Sequence, residues 1–129
     1  MSEISTHVLD TTVGKPGAGI NVRLDVMEGG GWIEVANGQE PHERVLDSPG
    51  GWVEVAAGTT DSDGRCRDLA PEVPAGLYRL TFDTGAYLVR CGRASIYPEI
   101  SITFNCDGEG HYHLPLLLSD NSYTTYRGS

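Results

Sequence analysis

Apolar residues in this chain recur at every second position in short runs, and each run is cut off by Gly, Pro, Asn or Asp. Val22, Leu24 and Val26 alternate within Ile20–Met27, and Ile100, Ile102 and Phe104 repeat the pattern. A period of two buries one face of an extended strand, whereas a helix needs a period near 3.6. About seven or eight such strands can be drawn, which predicts an all-β sandwich or barrel. The runs include Ile4–Asp10, Ile20–Met27, Leu77–Phe82, Ile100–Phe104, His111–Ser119 and a closing arm at Ser122–Arg127. Thr11–Gly17 holds Gly14, Pro16 and Gly17 and reads as a turn. The first two runs, joined through it, are expected to be antiparallel neighbours. Thr84–Ala94 is the best helix candidate, one or two turns broken by Gly92.

At 129 residues the chain is long enough for one domain with a core and too short for two. We therefore expect a single domain over 1–129. Gly30–Gly38 and Gly50–Gly58 are near copies, each with Gly-Gly-Trp-(Ile/Val)-Glu-Val-Ala, offset by 20 residues. Two copies are too few for a solenoid. They read as a duplicated strand or hairpin insertion within about 30–58, with the polar Gln39–Arg44 between them as a flap. Which copy enters the sheet is left open.

Eighteen Asp and Glu against nine Lys and Arg give a formal charge of -9. An acidic chain has no general attraction for phosphate backbones or anionic lipid, so neither nucleic acid nor membrane is expected as a partner. Met1–Thr6 lacks the basic-then-apolar pattern of a secretory signal, and no run is long enough to span a bilayer, so a cytoplasmic location is expected. Cys66, Cys91 and Cys106 are odd in number and not closely paired, which favours free and mostly buried thiols.

The chemistry-bearing stretch is His111-Tyr112-His113-Leu114-Pro115-Leu116-Leu117-Leu118-Ser119. On a strand, His111, His113, Pro115 and Leu117 share one face, and Tyr112, Leu114, Leu116 and Leu118 share the core face. Pro115 donates no ladder hydrogen bond, which suits a bulge or an unpaired edge. Taken alone, the histidine face is solvated or, with His7, supplies three imidazoles for zinc with an open position for water. Arg65 follows the turn sequence Asp61-Ser62-Asp63-Gly64. Periodicity alone does not bring His7, Arg65 and His113 together.

Three separated segments nevertheless resemble one family. Ser5-Thr6-His7-Val8-Leu9-Asp10 with Thr12-Val13-Gly14-Lys15-Pro16, then Asp63-Gly64-Arg65, then the histidine strand running to Tyr126-Arg127-Gly128-Ser129, are similar to the transthyretin-like 5-hydroxyisourate hydrolases. The closing tetrapeptide resembles the enzyme branch and not the hormone carrier. The resemblance implies a transthyretin-like two-sheet β-sandwich with one short helix, assembled as a homotetramer. It also implies metal-independent, cofactor-free hydrolysis of 5-hydroxyisourate in urate catabolism. Catalytic positions carry over to His7, Arg65, His113 and Ser129, and substrate binding to Arg65, Tyr126, Arg127, Gly128 and Ser129. Of the two histidines, His7 is favoured as the base. The duplicated insertion and Asp120-Asn121-Ser122 depart from the family pattern. The alternative expectation is a non-enzymatic small-ligand-binding sandwich of the same fold.

Overall fold

The computed structural model describes residues 1–28 and 51–128. Among them the chain forms nine strands and one helix, against the about seven or eight strands drawn from alternation. They are β1 (Ser2–Asp10), β2 (Lys15–Pro16), β3 (Asn21–Met27), β4 (Trp52–Thr59), β5 (Arg65–Val73) and β6 (Gly76–Phe82). Helix α1 (Thr84–Arg90), β7 (Ile100–Cys106), β8 (His111–Leu118) and β9 (Tyr123–Thr125) follow. One sheet runs β2-β1-β8-β9 with β5 also pairing β1, and the other runs β4-β3-β6-β7. Ile4, Val8, Leu114, Leu116 and Leu118 from the first sheet meet Val22, Leu24, Leu80, Phe82 and Ile100 from the second. Each such side chain contributes about 1.5–3 kcal/mol when fully buried, so this layer is the main driving force for folding.

One expectation is corrected, and one strand went unread. β1 and β3 are not neighbours: β1 pairs with β2, β5 and β8, and β3 pairs with β4 and β6 in the opposite sheet. The turn after β1 is consumed by the short β1–β2 ladder, Leu9 opposite Pro16 and Asp10 opposite Lys15. The chain then crosses the sandwich at Gly17, where a Cβ would lie 2.6 Å from Val8 Cγ1. Strand β5 also escaped sequence reading. Its pairing with β1 shifts register between Ser2 and Ile4 and again between Ile4 and Thr6, so its burial does not alternate.

The second copy of the duplicated segment forms β4, at the edge of its sheet among the described residues, with Val26 opposite Val53. The first copy, the flap and Ser129 lie outside the described residues. The helix is about two turns long, as expected, and stops at Arg90, followed by Gly92 at φ +72°. Among the described residues no helix is long and apolar enough to cross a membrane. All three cysteines are free, Cys66 and Cys106 buried and Cys91 exposed.

The centre of the site-bearing sheet is a parallel pair formed by the first and last long strands. β1 and β8 run in register from Glu3 opposite His111 to Asp10 opposite Leu118. Asp10, at the far end, is fully buried and is held by Arg93 Nη1 at 2.6 Å and by the Tyr87 hydroxyl at 2.7 Å. Burial alone would raise its carboxyl pKa, but the Arg93 and Tyr87 hydrogen bonds outweigh it and hold the group below its ordinary value. Arg93 also pairs with Asp120, which ties the chain after the helix to the β8–β9 turn.

Candidate active site

The histidine face of β8 points away from the core, as its spacing predicted: Tyr112, Leu114, Leu116 and Leu118 are buried, His111 is exposed and His113 is half-buried. In the parallel register Glu3 stands beside His111, Ser5 beside His113 and His7 beside Pro115, all on the same outward face. Strand β5 completes the row from the other side, with Arg65 directly opposite His7. Three strands remote in sequence thus deliver His7, Arg65 and His113 to one surface.

Gly64 sets the position of Arg65. It lies at φ +78°, and a Cβ there would fall 2.3 Å from the Val8 carbonyl oxygen. Its own carbonyl accepts from the Val8 N–H at 2.7 Å, while Asp61 Oδ1 accepts from the Arg65 N–H at 3.0 Å. The turn can approach β1 this closely only without a side chain. The Arg65 guanidinium makes no hydrogen bond or ion pair among the described residues. Its fork of donors is available to an anionic or carbonyl-rich ligand.

Glu3, Ser5, Arg65, Arg67, His111 and His113 line a surface groove of about 440 Å³. His7 stands beside the groove, with Nε2 3.1 Å from the Asp63 carbonyl. A carbonyl only accepts, so Nε2 carries the proton and Nδ1 is left as an acceptor. The Ser5 hydroxyl lies 2.7 Å from His111 Nε2 and 2.8 Å from His113 Nδ1. The histidines therefore do not form the three-imidazole zinc arrangement: two converge on a hydroxyl and the third on a carbonyl. Among the described residues no group of three or more His, Cys, Asp and Glu is arranged to hold a metal ion.

Burial lowers the His113 pKa, and the nearby His111, Arg65 and His7 lower it further by disfavouring a second positive charge. His113 is consequently neutral at neutral pH and able to accept a proton.

The terminal tail is docked onto this surface. The Gly128 N–H donates to the His113 carbonyl at 2.7 Å, and a Cβ on Gly128 would lie 2.8 Å from His113 Cδ2. The Arg127 guanidinium sits 3.9 Å from the centre of the Tyr112 ring and donates to the His111 carbonyl. Tyr126 is exposed. Ser5 and Glu3 were missed by sequence reading, and His111 was considered only as a metal ligand. Their relevance depends on the parallel register, which leaves no mark in a single strand's pattern. A larger groove, about 530 Å³, lies on the other sheet, but it has no histidine, and its arginine, Arg23, is paired with Asp25.

A two-sheet sandwich whose first and last long strands lie parallel, with histidines and an arginine unpaired among the described residues on the outward face, defines a transthyretin-like protein. The chain belongs to the HIUase/Transthyretin family, whose model matches residues 4–128. It is 37% identical over 133 residues to a 5-hydroxyisourate hydrolase of Mus musculus, covering 99% of this chain and 96% of that protein. The structure of Klebsiella pneumoniae 5-hydroxyisourate hydrolase matches with a TM-score of 0.74 and 35% identity, covering 100% of this chain and 94% of that one. Sea bream transthyretin in complex with thyroxine matches with a TM-score of 0.78 and 30% identity, covering 97% and 93%.

Proposed function

We propose that this protein hydrolyses the ring amide of 5-hydroxyisourate to 2-oxo-4-hydroxy-4-carboxy-5-ureidoimidazoline without a metal ion, and that His7, Arg65, His113 and Ser129 are its catalytic residues. The observation that carries the reading is strand register: His7 opposite Arg65, and Ser5 beside His113, on one face of one sheet. Its curated relatives support the substrate.

The carbonyl of an electron-poor ring is already activated, so the protein need only place water, a base and a positive charge. Water attacks the carbonyl carbon as His113 Nε2 takes its proton. The Arg65 fork holds the charge that develops on the oxygen. The carbon–nitrogen bond then breaks, and the imidazolium returns the proton to the leaving nitrogen. The sequence favoured His7 as the base. The depressed His113 pKa supports the exchange of roles, with His7 orienting the substrate through Nδ1. Substrate contacts fall to Arg65 and the Tyr126–Gly128 tail with Ser129.

The open groove on an outward sheet face also supports a homotetramer in which a second copy closes the site. Free cysteines support a cytoplasmic location. A single domain over 1–129, with the second copy of the duplicated segment supplying β4, completes the reading.

The direct test follows the ultraviolet decay of 5-hydroxyisourate, generated in place from urate by urate oxidase, with and without this protein and with EDTA. Acceleration that EDTA leaves unchanged is expected. Acceleration abolished by EDTA would overturn metal independence, and none at all would favour a ligand-binding sandwich.

Gly128→Ala tests the docked tail. The new methyl must displace the His113 ring, so kcat is expected to fall about tenfold or more with little change in Tm. Unchanged kcat would show that the tail does not position His113.

A further inference from the structure

Ser5 is only 6% exposed, and its hydroxyl is the sole bridge between the rings of His111 and His113 among the described residues. A hydroxyl has one proton, so it cannot donate to both rings at once. Where one of the two facing ring nitrogens is bare, the hydroxyl donates to it, and the other nitrogen can then bond to the Ser5 oxygen only as an N–H donor. The two tautomers are therefore linked.

Glu3 biases the direction. It stands beside His111 in the parallel register, with Oε1 4.0 Å from His111 Nδ1, and a carboxylate there favours the proton on that nitrogen. His111 Nε2 is then bare and accepts from Ser5. The Ser5 oxygen in turn accepts the Nδ1–H of His113, which leaves His113 Nε2 bare. That atom has no hydrogen-bond partner among the described residues.

We propose that Ser5 is a positioning residue that, together with His111 and Glu3, holds His113 in its Nδ1–H tautomer and so keeps Nε2 free to act as the base. No proton travels along the chain; the relay selects a state in advance. When His113 takes the proton of water, its Nδ1–H bond to Ser5 becomes charge-assisted and strengthens. Among the described residues, the titratable and charged groups around this ring are Glu3 and His7 on β1, Arg65, Arg67 and Asp68 on β5, and His111 on its own strand. The kinetic consequence rests on the hydrolase reading; the tautomer does not.

The test combines long-range ¹H–¹⁵N spectra of the imidazoles in the full chain with turnover of 5-hydroxyisourate, both above the ring titration. Wild type is expected to show His113 as the Nδ1–H tautomer, and Ser5→Ala to convert it towards Nε2–H. Ser5→Ala is expected to lose about tenfold in kcat with KM changed less than about twofold, and Ser5→Thr to recover most of the loss. Glu3→Gln alters only an exposed carboxylate and is expected to shift the same spectrum part of the way, which keeps the question decidable if Ser5→Ala folds poorly. An Nε2–H tautomer in wild type, or an unchanged His113 spectrum in both variants, would overturn the proposal. The expected spectra from a protein that does not turn over 5-hydroxyisourate would support the relay and sink the hydrolase reading.

Discussion

His113→Ala is expected to lower kcat/KM for 5-hydroxyisourate by about two or more orders of magnitude, the usual contribution of a positioned base, with the fold retained by circular dichroism. The side chain lies on the outward face of β8, so its loss leaves the packed face of Tyr112, Leu114, Leu116 and Leu118 intact. Arg65→Ala is expected to cost a similar factor by removing the fork that holds the developing negative charge. The pH profile separates the two roles. His113 works as a base only when neutral, and its pKa in the fold lies below the ordinary 6.5. Activity should therefore persist as pH falls to that value and disappear at lower pH, through the folded pKa. Arg65→Gln removes a neighbouring positive charge and should move this acid limb upward. An acid limb above 6.5 in wild type would assign the base to another group.

Gly64→Ala is expected to destabilise the protein by about 3 kcal/mol or more and to abolish the site, measured by urea unfolding and by turnover. Its φ of +78° alone costs an L residue about 1 kcal/mol. The larger part comes from a Cβ 2.3 Å from the Val8 carbonyl oxygen, a contact only backbone movement can relieve. That movement would break the 2.7 Å bond from the Val8 N–H and the register of His7 with Arg65. Gly14→Ala is the control, since Gly14 has φ +68° but open space where the Cβ would go. Equal losses in the two variants would show that conformation, not close approach, is what Gly64 supplies.

The outward and inward faces of β8 were legible because alternation is a local property: each residue's side follows from its neighbours two positions away. The turn before Arg65 was legible for a similar reason, since Asp61-Ser62-Asp63-Gly64 carries its own backbone preference. Strand partners were not. β1 and β3 both alternate and both bury one face, and that pattern is satisfied equally by adjacent strands of one sheet or by strands facing each other across the core. β5 was hidden because two register irregularities erase its alternation. Resemblance supplied the grouping of His7, Arg65 and His113, but not Ser5 or Glu3, whose roles depend on which residues of β8 lie beside them.

By itself, then, the sequence determined an all-β domain and the core face of its last long strand. These follow from side-chain chemistry acting over a few residues. Only the tertiary structure decided that β1 lies parallel to β8 and antiparallel to β5. That choice requires the two sheets to bury their apolar faces against each other while every ladder is completed, and no single segment carries that information. It is this register that places a hydroxyl between two imidazoles and an arginine opposite a third.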